Sequence, residues 1–210
     1  MKIGITGSGN VGGTLGTRWA KTGHRVTFST RGGRPEALRQ LLAGAPNAGA
    51  GSVTETARES DVLLIASPWP AIQQALQSAG DLSGKIVIDA TNPLLPDLSG
   101  LALGSTTSAG EMVAQWARGA KVVKALNTVG FNIMADPKFA QGRVAMFYCG
   151  DDAQAKTTVA GLIADLGFEP LDAGPLTQSR VLEPFALLWI SLALQHGYGR
   201  EIGFEFMRRG

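Results

Sequence analysis

The chain has few of the residues that indicate a disulfide-stabilised, metal-binding or strongly charged protein. Its 210 residues include one cysteine, Cys149, which excludes an internal disulfide framework and favours a reducing compartment. The histidines, His24 and His196, lie far apart, and no Cys or His cluster has metal-ligand spacing, so we predict no metal site. Charged residues make up only 17% and the net charge is +2, so we expect neither a nucleic-acid nor a membrane partner.

Long apolar runs are also scarce. The longest nearly apolar run, Phe185 to Leu194, falls well short of the roughly 20 residues that span a bilayer, so we predict a buried helix there. The chain opens on a strand-like pattern without a charged and apolar leader, so we expect no cleaved secretion signal and a cytoplasmic location. At 44% hydrophobic content, residues 1–210 are predicted to form a single Rossmann domain with a C-terminal extension at about 143–210.

The most informative stretch lies at the N-terminus, where Gly7, Gly9 and Gly12 form the pattern G-x-G-x-x-G. Ile3 and Ile5 precede it as in a short strand, and an amphipathic helical pattern follows it. The first glycine permits a sharp turn, the second lets a pyrophosphate approach the backbone, and the third lets the helix lie close to the strand. Because the chain contains 28 glycines, a glycine-rich loop without a ligand is the alternative. The position between strand and helix favours dinucleotide binding.

The end of the second predicted strand distinguishes between the two nicotinamide cofactors. NAD-binding proteins usually carry an acidic residue about 20 positions beyond the glycines, to hold the ribose hydroxyls. Here no acidic residue precedes Glu36, whereas Arg31 and Arg34 follow the strand directly. Thr30 can donate a hydrogen bond to a ribose phosphate, and the Arg31 guanidinium can bind it in a bidentate manner. We therefore predict NADP rather than NAD; a solvated basic turn is the alternative.

Strand and helix patterns alternate along the chain, which predicts the α/β class and a doubly wound Rossmann fold with a mostly parallel sheet and a C-terminal helix. Eight strands are predicted, at 3–5, 24–29, 49–52, 61–67, 85–89, 121–126, 143–149 and 168–172. The helix predicted at 179–196 has an apolar surface too wide for one sheet, so we expect it to contact a second subunit in a homodimer.

Three successive strands are followed by turns that contain asparagine or proline. These turns are Ser67 to Pro70, Ala90 to Pro93 and Asn127 to Asn132. All three belong to the carboxyl edge of a parallel sheet, where doubly wound folds bind ligands. For Pro68 and Trp69, capping of the next helix is an equally good interpretation.

Residues for acid-base or nucleophilic chemistry are missing. There is no Gly-x-Ser-x-Gly elbow, no Ser, His and Asp set, and no tyrosine with a lysine four residues later. We therefore predict no catalytic side chain. Hydride transfer between two bound redox rings needs positioning and water exclusion but no protein acid or base, so a redox co-substrate is favoured over a carbonyl substrate.

These stretches resemble the family of coenzyme F420-dependent NADP oxidoreductases, which pass hydride between NADP(H) and a deazaflavin. The resemblance covers nearly the whole chain. Its motifs are Gly7 to Gly12, Thr30-Arg31, Pro68-Trp69, Cys149 to Asp152, and Leu171 to Leu176 with Ser179-Arg180. It implies a Rossmann sheet of about eight strands and a C-terminal helix used in dimer formation.

The resemblance also implies roles for individual residues. Ser8, Gly9, Asn10 and Val11, next to Gly7, would hold the pyrophosphate, and Thr30, Arg31 and Arg34 the ribose phosphate. Ser67, Pro68 and Asn92 would lie at the nicotinamide pocket. Asn127 and Phe131 would face the second redox ring, with the tail at 197–199 near its edge. Well-studied deazaflavin enzymes have a histidine at the position of Asn127; the pattern here is more similar to bacterial relatives and to the NADPH domains of ferric-reductase membrane proteins.

Three hypotheses follow. The first is an NADP(H)-dependent oxidoreductase whose co-substrate is a deazaflavin (coenzyme F420) or a flavin. The second is an NADPH-dependent free flavin or ferric reductase that uses the same pocket. The third, from a different class, is a non-catalytic NADP(H)-binding redox sensor.

Overall fold

The computed structural model describes residues 1–30, 35–104 and 106–209, and its centre is an eight-stranded sheet. The strand order is β3-β2-β1-β4-β5-β6-β7-β8, and only β6 and β7 pair in antiparallel fashion. The predicted doubly wound, mostly parallel sheet is confirmed. The strands are β1 (Lys2–Thr6), β2 (Arg25–Ser29), β3 (Ala48–Gly51), β4 (Val62–Ile65), β5 (Ile86–Asp89), β6 (Lys121–Ala125), β7 (Ala145–Gly150) and β8 (Glu169–Asp172).

Helices cover both faces of this sheet. They are α1 (Asn10–Lys21), α2 (Pro35–Ala43), α3 (Val53–Glu59), α4 (Ile72–Ala79), α5 (Ala109–Trp116), α6 (Phe131–Ala135), α7 (Ala153–Asp165) and α8 (Ser179–Leu194). Helix α6 was not predicted, because a helix of little more than one turn shows no apolar periodicity. The segment predicted as a turn at 127–132 therefore ends in the first residues of a helix.

The central strands are apolar because they are buried on both faces. All four residues of β4, Val-Leu-Leu-Ile, are buried. On one side of the sheet, Leu15 and Trp19 of α1 pack in the same core as Ile5. On the other side, Leu76 of α4 belongs to a second core. Full burial of a side chain of this size contributes roughly 1.5–3 kcal/mol each.

The chain reverses its direction of winding at β1. It proceeds outward through β2 and β3 and then returns to add β4 on the other side of β1. A crevice forms between the carboxyl ends of β1 and β4 at such a switch point. The glycine-rich loop follows β1 and Ser67 follows β4, so both border this crevice.

The C-terminal tail, residues 197–209, folds back along the edge of the sheet formed by the carboxyl ends of the parallel strands β1 and β4–β6. The backbone N–H of Ala145, at the start of β7, donates to the carbonyl of Phe204 at 2.7 Å. The indole N–H of Trp189 in α8 donates to the carbonyl of Ile202 at 2.8 Å. In α6, Asn132 Nδ2 donates to the carbonyl of Arg200 at 2.6 Å. The tail is therefore bound to β7, α6 and α8.

Within the described ranges, we find no helix whose length and apolar character would let it cross a membrane.

Candidate functional site

The glycine-rich loop has little room for side chains where it turns. Gly7 has φ +91°, and a Cβ there would lie 2.7 Å from the backbone of Ala66. A Cβ on Gly12 would overlap the carbonyl oxygen of Gly7. At Gly9, in contrast, a Cβ would meet no atom within 4 Å, so this position faces open space. The loop is thus packed closely at its first and third glycines and open at its second.

Helix α1 begins where the loop is open. Gly9 is its N-cap residue, with an extended backbone, and the first turn contains no acidic side chain. The backbone N–H groups of a first helical turn have no partner within the helix, and the helix dipole makes this end partially positive. Asn10 and Val11 lie in this turn. The end of the helix is thus suited to a phosphate group.

A cavity of about 280 Å³ adjoins this loop. It brings together four of the predicted site residues: Gly7, Ser8, Thr30 and Ser67. Its other walls are Thr6, Ser29, Val53, Gln74, Ala75 and Ser78. The sequence pattern did not indicate Val53, Gln74 or Ser78, because they enter the site through the packing of α3 and α4. Each of these ten residues is neutral.

The predicted ribose-phosphate residues lie partly outside the described residues. Thr30 follows β2 and lines the cavity, and its backbone N–H donates to the carbonyl of Gly51 at 2.9 Å. The sequence-based prediction for Arg31 and Arg34 falls on residues that the structure does not describe. The end of β2 is the position at which doubly wound folds hold the adenosine ribose.

A second group of predicted residues meets at the ends of β5 and β6. Asn92 Nδ2 donates to the backbone carbonyl of Asn127 at 2.9 Å, and Asn127 Nδ2 donates to Asn92 Oδ1 at 3.0 Å. We call these two residues the amide pair. Asn127 Nδ2 also donates to the carbonyl of Leu182 in α8, at 3.3 Å. Pro68, which was predicted to lie with Asn92 at the nicotinamide pocket, follows β4, is exposed and precedes a single 3₁₀ turn at Trp69–Ala71.

The amide pair leaves one acceptor unused. Asn127 is 5% exposed, and its Oδ1 is buried without a hydrogen-bond partner. Both Nδ2 hydrogens are directed at oxygen atoms, which fixes the orientation of the amide. A buried acceptor without a donor costs about 1–3 kcal/mol. The oxygen is enclosed by protein atoms, so a ligand N–H group reaches it only if the surrounding side chains move.

Phe131 was predicted to face the second redox ring. It is the first residue of α6 and packs, half-buried, against the main hydrophobic core. The preceding Gly130 lies against the indole of Trp189, because a Cβ there would come within 2.5 Å of that ring. The turn between β6 and α6 therefore packs directly against α8.

A cluster of charged residues that we did not predict from the sequence is buried next to the amide pair. Lys124 of β6 is fully buried, with Nζ 2.8 Å from Asp89 and 2.8 Å from Glu183. The sequence does contain a sign of this cluster. Lys124 lies inside a strand in the middle of the sheet, where a lysine side chain cannot reach solvent and needs a buried partner of opposite charge.

Cys149 was predicted to be an inert core thiol, and it is fully buried in β7. Burial raises the pKa of Cys149 to about 11, so the thiolate form is scarce at neutral pH. In the described part of the chain, no group of three or more His, Cys, Asp or Glu side chains is placed to hold a metal ion.

The residues present fit NADP(H). The open N-terminus of α1 suits a pyrophosphate, the neutral cavity at the end of β2 accepts an adenosine ribose, and the half-buried amide of Asn92 lies at the ends of the next strands. These features follow one another along a single edge of the sheet.

Comparison with known proteins identifies the family. Residues 2–93 match the family described as NADP oxidoreductase, coenzyme F420-dependent. A crystal structure of a protein assigned as an F420-dependent NADP reductase from Arthrobacter sp. FB24 is 34% identical, with a TM-score of 0.90 over 99% of this chain and 100% of that one. A protein from Sinorhizobium meliloti is 29% identical, with a TM-score of 0.77 over 85% of this chain and 87% of that one.

A longer relative is the metalloreductase STEAP3 of Rattus norvegicus, which is 30% identical over 188 residues. The match covers 89% of this chain but only 36% of the rat protein, so the chain spans about a third of that relative. The Arthrobacter protein, in contrast, is matched over its whole length. The chain therefore belongs to the family of coenzyme F420-dependent NADP oxidoreductases, and its NADP-binding Rossmann fold is that of an NADP-dependent oxidoreductase.

Proposed function

We propose that this protein transfers hydride between NADP(H) and a ring-type redox co-substrate, either the deazaflavin coenzyme F420 or a flavin. The observation that carries the proposal is the composition of the sheet edge. The glycine-rich loop, a cavity lined by neutral side chains and the amide pair follow one another along it. Such an edge can bind and orient two rings, which is what hydride transfer requires.

In this proposal the chain's own residues act by binding and orientation. The first turn of α1, with Ser8, Gly9, Asn10 and Val11, holds the pyrophosphate, and Thr30, Arg31 and Arg34 hold the ribose phosphate. Ser67 and Pro68 border the cofactor where it crosses from β1 to β4. Asn92, held in place by Asn127, orients the nicotinamide through its carboxamide. When bound, the nicotinamide supplies the hydride chemistry.

The identity of the co-substrate rests on similarity. The full-length match to the Arthrobacter protein, which is assigned as an F420-dependent NADP reductase, supports the deazaflavin. Reduction of a ferric ion through a free flavin is the second candidate, since the rat relative is a metalloreductase. Both reactions use NADPH as the hydride donor and differ in the molecule that occupies the far side of the nicotinamide.

We expect an acceptor screen to separate these candidates. NADPH oxidation is followed as loss of absorbance at about 340 nm with F420, FMN, FAD or ferric citrate as acceptor, and ferric citrate is tested with and without added flavin. The proposal predicts rapid oxidation with F420 or a flavin alone. Oxidation only when ferric ion is present would support the metal reductase.

The same screen contains the test of a non-catalytic role. Tight NADPH binding without oxidation by any acceptor would contradict hydride transfer and support an NADP(H) sensor. The Gly9→Ala variant serves as the control, because it is expected to lose NADPH binding and therefore all cofactor-dependent signal. Oxidation that persists in this variant would come from a contaminating enzyme.

We also propose that the protein forms a homodimer through α8. Val181, Pro184, Leu188 and Leu192 recur at helical spacing along one side of this helix. Val181 is 59% exposed and Leu188 is 48% exposed, so an apolar stripe faces away from the chain's own core. Contact with a second α8 would remove this stripe from water.

Light scattering is expected to give twice the chain mass of 21.9 kDa for the native protein. Leu188→Glu should weaken dimerisation by about 100-fold, because it places a charge in an apolar interface. Leu95→Glu, at an exposed leucine in the loop after β5, is the matched control and should remain dimeric. A monomeric native protein, or equal effects of the two substitutions, would contradict the proposed interface.

A further inference from the structure

The charged cluster below the amide pair is completely enclosed. Lys124 and Asp89 are 0% exposed and Glu183 is 2% exposed. Lys124 and Asp89 are register neighbours on β6 and β5, and Glu183 enters from α8. An isolated buried ammonium would be very costly, so a lysine is tolerated here only because carboxylates contact it from two directions.

The cluster holds the backbone of the turn that carries Asn92. Lys124 Nζ donates to the carbonyl of Thr91 at 2.6 Å. The backbone N–H and the hydroxyl of Thr91 both donate to Asp89 Oδ1, at 3.0 and 2.7 Å. Thr91 is thus bound through its carbonyl, its amide and its side chain, and the next residue belongs to the amide pair.

Glu183 joins the cluster to two helices. Its carboxylate accepts the backbone N–H groups of Ala109 and Gly110, at 3.0 and 3.1 Å, at the beginning of α5. Its neighbour Leu182 accepts from Asn127 Nδ2. The turn after β5, strand β6 and helices α5 and α8 therefore meet around the ammonium group of Lys124.

The Lys124 ammonium is charged at neutral pH. Burial acts to lower the pKa of Lys124, but the charges of Asp89 and Glu183 outweigh burial and raise it above the ordinary lysine value. The dipole of α5 compensates part of the second carboxylate's charge. Because Lys124 remains protonated and enclosed, it has no role as a proton donor or acceptor for a substrate.

We infer that Lys124 is a positioning residue for hydride transfer, whose ammonium fixes the Thr91-Asn92 turn and so holds the amide pair against the nicotinamide. This inference rests on the proposed function. Lys124 touches neither ring. It acts through Thr91 and Asn92, and a displacement of about 1 Å at a reacting group can cost roughly 100-fold in rate.

The test needs a variant in which no buried charge is left without a compensating group. Lys124→Met alone leaves two buried carboxylates without their cation and is expected to unfold the protein. The double variant Asp89→Asn with Lys124→Met leaves Glu183 on the N–H groups of α5, and the amide oxygen that Asp89→Asn introduces can still accept from Thr91. The matched control is Lys156→Met with Asp172→Asn, which removes a surface pair 2.9 Å apart on α7 and β8.

The first readout needs no cofactor. Hydrogen exchange of the peptide covering 90–94 should be about 10-fold faster in the double variant than in the native protein, as expected when one hydrogen bond is lost. The control should exchange at the native rate. The second readout is single-turnover hydride transfer, which should fall about 30- to 100-fold while the Kd for NADPH changes less than about 3-fold.

A folded double variant with native exchange at 90–94 and a native transfer rate would overturn the inference. Equal losses in NADPH affinity and transfer rate would also overturn it, since they indicate a general structural role. If the double variant does not fold, Thr91→Val removes one bond of the same turn without touching a charge, and the same readouts apply. If the native protein transfers hydride to no acceptor, the proposed function fails, and the exchange measurement still tests the positioning.

Discussion

Gly12→Ala is expected to destabilise the protein by about 3 kcal/mol and to abolish measurable NADPH binding. A Cβ at this position overlaps the carbonyl oxygen of Gly7 and approaches Ile5 Cγ2 at 2.9 Å. Neither neighbour can withdraw easily, since Gly7 is itself packed against the backbone of Ala66 and Ile5 is fully buried. Overpacking of this kind typically costs about 1–3 kcal/mol or somewhat more. In a chain of this size that is a fall of about 6 to 12 °C in Tm.

Gly9→Ala is the matched variant, because it adds the same methyl group to the same loop in open space. No atom lies within 4 Å of that Cβ, and the backbone of Gly9, with φ −81°, is accessible to alanine. Loss of a favourable N-cap residue and gain from a stiffer unfolded chain nearly cancel, so stability should change by less than about 1 kcal/mol. The methyl group would stand where the pyrophosphate approaches, and affinity should fall about 100-fold.

The two variants separate folding from binding when thermal unfolding and NADPH fluorescence titration are measured on each. The expected result is loss of both properties for Gly12→Ala and loss of binding alone for Gly9→Ala. Native NADPH affinity in Gly9→Ala would mean that the pyrophosphate does not approach this loop. A native Tm in Gly12→Ala would mean that the loop can relax in a way that its packing does not indicate.

Most of the fold could be predicted from the sequence because its determinants are local. The apolar run before Ser67 is typical of a strand buried on both faces, and the glycine spacing after Ile5 is typical of a strand, turn and helix. Helix α6 could not be predicted, since its five residues are held by contacts with α1 and the tail rather than by their own periodicity. Arg18 of α1, for example, donates to the carbonyl of Met134 at 2.8 Å.

The candidate site also has features that the sequence predicts and features that depend on tertiary packing. That Asn92 and Asn127 lie at one sheet edge follows from their positions after consecutive parallel strands. That they bind each other depends on the β5 and β6 register and on α8, which supplies the carbonyl of Leu182. The cavity walls Gln74 and Ser78 depend on how α4 packs, and no local pattern specifies that. A buried ion pair at Lys124 could have been predicted from the sequence, because a charged residue inside a central strand requires a buried partner.

Arg31→Ala is expected to weaken NADPH binding by about 1.5 to 3 kcal/mol, or roughly 10- to 150-fold, and to leave NADH binding nearly unchanged. The difference arises because only NADPH carries the ribose phosphate. No acidic residue precedes Glu36, so nothing in this part of the chain repels that phosphate. The measurement is a pair of fluorescence titrations, one with each cofactor, at fixed ionic strength.

Arg25→Ala is the control for this variant, because it removes the same charge from the opposite end of β2. If long-range attraction of the anionic cofactor were the cause, both substitutions would weaken NADPH binding to a similar extent, and added salt would remove the effect. A direct bidentate contact predicts a large loss for Arg31→Ala alone. Equal losses for NADPH and NADH in that variant would contradict the ribose-phosphate role, and the preference for NADP would then have to come from Thr30 and the neutral walls of the cavity.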